Sequence, residues 1–279
     1  MKVTYVSCFC TNEIPSGNPA IVVEEFTGDD SDKQKLATKL NFPVTVFVMN
    51  QDNYFLLRFF YPSREMPLCI HGTLSAAYVL MKQRGLNQIH VLTKSNQKIL
   101  INKLDDVIQL EVDKGEVCSV PFSMEDLNKM LNIEWQNVLN KNLPLRISSI
   151  GSPKLLVPIM HYETLAKIKP NFAFIRQWSI NNNINGLYVY TDDTHDDKVD
   201  FTARGFNPKG GDNEDAATGV AVGALYAALK YSDNKEIRVK QGQFINQPSY
   251  ILASSKQDKL FIGGKIRVDS DSDQNFNHD

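Results

Sequence analysis

The chain has 279 residues, enough for two lobes of ordinary domain size. Its 30 Lys and Arg nearly balance 32 Asp and Glu, a formal charge of −2 that leaves no basic footprint for nucleic acid. No run approaches the ~18 consecutive apolar residues of a membrane span, and MKVTYVSCFC alternates where a signal peptide would be continuously apolar, so the sequence reads as a soluble cytoplasmic protein.

Residues 2–9 and 20–24 have the composition of two strands, joined by TNEIPSGNP (11–19), a stretch of Gly, Pro and Asn turn formers. Ser31 with Gln34 three residues on is a capping-box pattern, and predicts a helix that runs to Leu40 and closes at Asn41. TVFVMN (45–50) and YFLLRFF (54–60) read as a hairpin, and QIHVLT, QKILIN and VIQLEV supply three more strands. A linker is expected near 114–145. The second half repeats the plan: IGSPKLLV (150–157) matches SGNPAIVV (16–23) at an offset of 134. A helix around 161–168, the strands GLYVYTD and VDFTAR, and the strands EIRVKQG, SYILAS and KLFIGGKIRV complete it. DSDSDQNFNHD, acidic and polar, reads as a disordered tail. The expected boundaries are an amino-terminal lobe over 1–117, a carboxy-terminal lobe over 118–267 whose last strand can return to the first lobe, and the tail over 268–279.

The two halves centre on two copies of one pattern. RFFYPSREMPLCIHGTLSAAYVL (58–80) and RGFNPKGGDNEDAATGVAVGALY (204–226) each give an Arg, a Pro four residues later, a loop, and a helix of small and apolar residues. At an ungapped offset of 146, Arg58 falls on Arg204, Pro62 on Pro208 and Cys69 on Asp215. Each Pro marks a strand exit. The helices predicted over Leu74–Lys82 and Ala216–Lys230 are apolar on nearly every face, so each is expected to be buried all round, inside a curled sheet. A helix start leaves backbone N–H groups unpaired and carries about half a positive charge, which suits an anion. Two such starts facing one another would hold a small carboxylate-bearing molecule.

Cys69, His71 and Asp215, at these starts, are residue types that move protons. Asp215 is either an acid/base group or a helix cap, His71 either a proton carrier or a hydrogen-bonded structural histidine, and Cys69 either a nucleophile or base or a small buried side chain. Glu65 and Glu214 either contribute or stay solvated, while the recurrence of Arg58 and Arg204 points to an ion pair or loop clamp. Cysteines at 8, 10, 69 and 118 form no C-x-x-C pair, and the five histidines show no ligand spacing, so no metal is expected. The loop KGGDNEDAATG lacks the Gly-Lys-Ser/Thr ending of a phosphate loop.

SGNPAIVV, the 58–80 segment, FNPKGGDNEDAATG and VKQGQFINQPSYI, in this order and spacing, resemble the signature segments of the phenazine-biosynthesis PhzF-like proteins, relatives of diaminopimelate epimerase. The resemblance implies an α+β fold of two pseudo-symmetric lobes, each a mostly antiparallel barrel-like sheet around a central helix, with the active site between the lobes. It implies a cofactor-independent isomerase or epimerase of a small carboxylate metabolite, and a homodimer. By the family pattern Gly72, Thr73, Thr218 and Gly219 hold the substrate carboxylate and Asn18 lines the cleft. Where the family's principal acid/base Glu is expected, this chain has Val44. Cys69-Ile70-His71-Gly72-Thr73 carries Ile70 in place of a Gly, and Val220 replaces a Ser. Two classes therefore stand: an isomerase that uses Asp215 and His71, or a catalytically silent member that binds a small anion or a protein partner.

Overall fold

Strand β1 (Lys2–Cys8) pairs antiparallel with β2 (Asn18–Glu24). The computed structural model, which describes residues 1–51, 54–118, 122–134, 138–209 and 212–273, divides the chain into two compact units. One is Met1–Glu111 with the chain from Gly263 onward; the other is Val112–Ile262.

In the first unit, helix α1 (Asp30–Leu40) follows β2. Its cap is Asp29 rather than Ser31: the Asp29 carboxylate accepts from the Asp32 amide at 2.9 Å, and the Asp32 carboxylate accepts from the Asp29 amide at 3.4 Å. Two acidic residues in the first turn suit the positive end of the helix, and Asn41 closes it in the left-handed conformation. Strands β3 (Thr45–Gln51), β4 (Tyr54–Tyr61) and β5 (Arg64–Met66) lead into α2 (Ile70–Arg84), which starts four residues earlier than expected. Then come β6 (Gln88–Thr93), β7 (Lys98–Leu104) and β8 (Val107–Asp113).

Strand pairing closes this unit into an eight-stranded barrel. The order is β1, β2, β3, β4, β6, β7, β8 and the final strand of the chain, Lys259–Asp273, which pairs with β1. That strand continues through 268–273, so the first part of the expected tail is sheet; unbroken pairing from Lys2–Asp273 to Tyr5–Ser270 holds it. Residues 274–279 lie outside the described residues. Alternation sorts the side chains. Val3, Ile21, Val23, Phe47 and Phe60 pack outward on Leu36 and Ala37 of α1. Val46 and Phe59 point at α2, whose Gly72 would bring a Cβ to 3.0 Å and 3.3 Å from them.

The second unit repeats these pairings. Its strands are β9 (Glu116–Cys118), β10 (Arg146–Ser149), β11 (Lys154–Pro158), β12 (Leu187–Thr191), β13 (Phe201–Asn207), β14 (Asp212–Asp215), β15 (Glu236–Gln241) and β16 (Ser249–Lys256), before β17 (Lys259–Asp273) returns to the first unit. β11 runs parallel to β12 as β2 does to β3, and β13 parallel to β15 as β4 does to β6; the other neighbours are antiparallel. Helices α3 (Met124–Leu131), α4 (Tyr162–Lys167) and α5 (Phe172–Asn181) cover one face with a core of Leu127, Met130, Leu155, Val157, Trp178, Leu187 and Val189. α6 (Gly219–Leu229) packs on β9, β10, β11 and β16, buried over most of its surface. The span read as a linker thus holds a strand and a helix; α3 starts on a capping box between Ser123 and Asp126.

Candidate functional site

Cys69 is the N-cap of α2, in extended backbone with no side-chain capping bond. This frees its thiol, and Sγ lies 3.3 Å from His71 Nδ1 and 3.8 Å from the Tyr61 hydroxyl. Cys69 and His71 are only 5% and 8% exposed. The Thr73 hydroxyl donates to the Cys69 carbonyl at 2.8 Å, as does the Thr73 amide, and so fixes the first turn. Gly72 sits over Val46, Phe59 and Val44; even a methyl group there would press within 3.3 Å of Val44 Cγ1. Val44 itself is fully buried, so the side chain at the position read as the missing carboxylate packs against the helix start. Asn18 opens β2 opposite Cys8, also buried.

The second helix start is built differently. α6 begins at Gly219 with Thr218 as N-cap, and Asp215 is the last residue of β14, so Asp215 is not the helix cap. The Thr218 hydroxyl donates to Asp215 Oδ2 at 2.7 Å, and the Ala217 amide reaches Oδ1 at 3.4 Å. Gln241 ties this turn together. Its amide nitrogen donates to the Asp215 carbonyl at 2.7 Å and to the Thr218 hydroxyl at 3.1 Å. Its oxygen accepts from the Thr218 amide at 3.2 Å and from the Tyr188 hydroxyl at 3.0 Å. Gly205 makes room: a Cβ there would stand 2.9 Å from the Gln241 amide nitrogen and 3.0 Å from the Thr218 hydroxyl. Burial and the Asp215 charge push the Tyr188 phenol far up, so it stays a neutral donor.

Strand pairing revises the repeat. Met66 stands opposite Phe59 and Asp215 opposite Gly205, while Phe59 and Gly205 are themselves 146 residues apart. From Glu65 to the helix start the offset is therefore 149: Glu65 falls on Glu214, Met66 on Asp215 and Cys69 on Thr218. The second copy carries three extra residues in its loop, which an ungapped comparison cannot register. Cys69 and Asp215 are not equivalents.

Both loop glutamates prove to be ion-pair partners rather than solvated charges. Arg58 donates to both oxygens of Glu65 and to Asp30 Oδ2 at 2.8 Å; Glu65 also takes Lys94 at 2.7 Å. Burial alone would raise the Glu65 carboxyl, but Arg58 and Lys94 outweigh it and hold it below its ordinary value, and the Arg58 bond brings Asp30 down to about 2. Arg204 makes a two-pronged pair with Glu214 at 2.9 and 2.7 Å and donates to the Leu165 and Ile168 carbonyls at 3.2 and 2.9 Å. These pairs clamp the hairpins that lead to the helix starts.

Tyr188, Gln241 and Lys154 were not singled out from sequence. Gln241 lies within VKQGQFINQPSYI, and a Gln closing a strand beside a glycine was the available signal. Lys154 is 2% exposed; its ammonium donates to the Asn185 carbonyl, and burial brings it down to about 8, against the opposing pull of Asp215. Among the described residues no group of three or more His, Cys, Asp or Glu is arranged to hold a metal ion, and no helix is long and apolar enough to cross a membrane.

Comparison with known proteins agrees with this architecture. The family model described as phenazine biosynthesis-like protein matches residues 6–268. An uncharacterised isomerase of Clostridium acetobutylicum is 32% identical over 268 residues, covering 89% of this chain and 88% of its own, and one of Escherichia coli is 23% identical over 94% of each. The crystal structure of a PhzF-family phenazine biosynthesis protein from Bacillus anthracis superposes with a TM-score of 0.85 at 25% identity over 98% of both chains. A hydroxyproline epimerase from Agrobacterium vitis, 10% identical and covering 98% of this chain and 90% of its own, shares the fold at a TM-score of 0.55. With the family model spanning almost its whole length and the fold superposing on a solved member over 98% of both chains, the chain belongs to the phenazine biosynthesis-like family.

Proposed function

We propose that this protein is a cofactor-independent isomerase or epimerase of a small carboxylate metabolite. It takes a proton from a carbon next to the carboxylate and returns one elsewhere or to the other face. Asp215 and His71 are the acid/base groups, with the Cys69 thiol beside His71 as a third proton carrier. Gly72, Thr73, Thr218 and Gly219, with Asn18, bind the substrate. The observation that carries this reading is that each buried helix start keeps a proton-carrying side chain in an ordered polar contact, Cys69 with His71 and Asp215 with Thr218. Val44 stands for the family's Glu and cannot move a proton, so the reaction depends on the remaining groups. A cytoplasmic homodimer with a biosynthetic role completes the proposal.

Deuterium uptake from D₂O into a metabolite extract and a panel of amino and hydroxy acids, followed by mass spectrometry, tests it. Uptake with wild type that disappears in Asp215→Asn is the expected result; full uptake in that variant removes Asp215 from the mechanism. The buried, apolar Val44 favours a second reading, a silent member that binds a small anion or a protein partner. It requires a ligand that stabilises the fold and comes out chemically unchanged, and any turnover rules it out.

A further inference from the structure

Lys154 is a charge in a place built for an apolar side chain. Strand register sets it at the position of Ala20 in the first unit, since Pro153 matches Pro19 and Leu155, opposite Leu187, matches Ile21, opposite Thr45. Ala20 is fully buried and Lys154 is 2% exposed. The fold therefore does not need a lysine there, and burying an ammonium is unfavourable without a compensating anion.

Its direction follows from alternation. Leu155 and Val157 pack with α3, α4 and α5, so Lys154 and Leu156 point to the opposite face, on the side of α6. On β12, Leu187 and Val189 likewise join the helix-covered core, leaving Tyr188 on the Lys154 side, where its hydroxyl meets Gln241 and, through it, the Asp215–Thr218 turn. The charged and titratable groups on the surrounding elements are few. α6 contributes no charged group and one phenol, Tyr226, whose hydroxyl donates to the Lys235 carbonyl; β12 contributes the neutral phenols of Tyr188 and Tyr190, β10 contributes Arg146, whose charge acts on Tyr190, and β14 contributes Asp215. Arg204 and Glu214 are engaged with each other beside α4. The Lys154 ammonium has the Asn185 carbonyl as acceptor, and among the described residues no carboxylate lies within ion-pair distance; Asp215 is the charge that acts on it across the interior.

We infer that Lys154 is a positioning residue for the reaction proposed above, its buried ammonium supplying the positive charge that faces Asp215 and holds it as the carboxylate ready to accept a proton. The inference rests on Asp215 being the proton carrier. It deepens that reading by giving the Asp215 carboxylate a buried counter-charge within its own unit.

The test that needs no substrate is side-chain NMR of lysine-labelled protein across pH 6 to 10.5, with Lys154→Met to assign the resonance and circular dichroism to verify folding. The Lys154 titration midpoint is expected near 8 in the wild type and lower in Asp215→Asn, because the Asp215 charge favours the ammonium. An unmoved midpoint in folded Asp215→Asn overturns the inference, whether or not any substrate is ever turned over. With a deuterium-exchanging substrate in hand, Lys154→Met is expected to lose tenfold or more in kcat with little change in KM, and Lys154→Arg to recover part of it. A wild-type pH–rate profile for Lys154→Met overturns the positioning role while leaving the isomerase reading intact.

Discussion

Replacing Lys154 with Met should make the protein more stable at neutral pH and leave it unimproved at high pH. The folded-state value of about 8 lies below the ordinary 10.5, so the folded state disfavours the charged form. Below pH 8 the lysine is charged in both states and the burial cost is fully present. Between about 8 and 10.5 the folded lysine is neutral while the unfolded chain still binds its proton, so wild-type stability rises with pH through that window. The interval amounts to ~3 kcal/mol. Met is unbranched and of similar length, so it fills the site, but it leaves the Asn185 carbonyl without its donor at a cost of about 1 kcal/mol. The variant should therefore exceed wild type by ~2 kcal/mol at pH 7 and by nothing measurable at pH 10. Urea unfolding followed by circular dichroism at the two pH values measures this directly. A difference that is the same at both values, or a variant less stable at pH 7, would refute the reasoning.

Removing the second unit's clamp should be more damaging: Arg204→Met strands Glu214 and two backbone carbonyls, and should cost about 3–5 kcal/mol in urea unfolding. Gly223→Ala would drive a Cβ to 2.3 Å from Ile150 Cδ1 and 2.7 Å from Ile262 Cδ1, and should lower stability by about 1–3 kcal/mol, visible as a depressed Tm. Asp29→Ala removes the α1 cap and should cost ~1 kcal/mol, whereas Ser31→Ala should be close to neutral, the two distinguished by parallel thermal melts.

Most strands were legible because period-two alternation between turn formers has few alternative readings: QIHVLT and TVFVMN fell within a residue of β6 and β3. Helix starts were harder. Ser31/Gln34 and Asp29/Asp32 are both acceptable capping pairs three apart, and Gln34 is instead taken up by the Tyr61 and Pro62 carbonyls at 3.0 and 3.2 Å, contacts that only the folded chain brings together. α3 carries its cap openly as Ser123-x-x-Asp126, yet it lies where composition suggested a linker. The two central helices were recognised by their small residues, while their exact registers depended on a three-residue difference in the preceding loop. Lys154 illustrates the remaining limit: a lysine beside Pro153 reads as a surface residue, and only the pairing of β11 with β12 turns it inward.

That register difference changes how the two helix starts should be compared. With Cys69 set against Asp215, the starts look like one thiol exchanged for one carboxylate at a common position. With Cys69 set against Thr218, the cap positions are a thiol and a hydroxyl, and the carboxylate stands three residues earlier, where the first unit has Met66. Thr218 accordingly spends its hydroxyl on Asp215, at 2.7 Å, while Cys69 turns toward His71, at 3.3 Å. A symmetric two-thiol mechanism has no second thiol to use at this position. The scaffold, the Arg–Glu clamp and the buried helix recur in both units, whereas the titratable side chains at the two helix starts differ. The asymmetry is also why Lys154 and Ala20 can occupy the same place in the two sheets: the lysine faces Asp215, and the first unit has no carboxylate at the matching position.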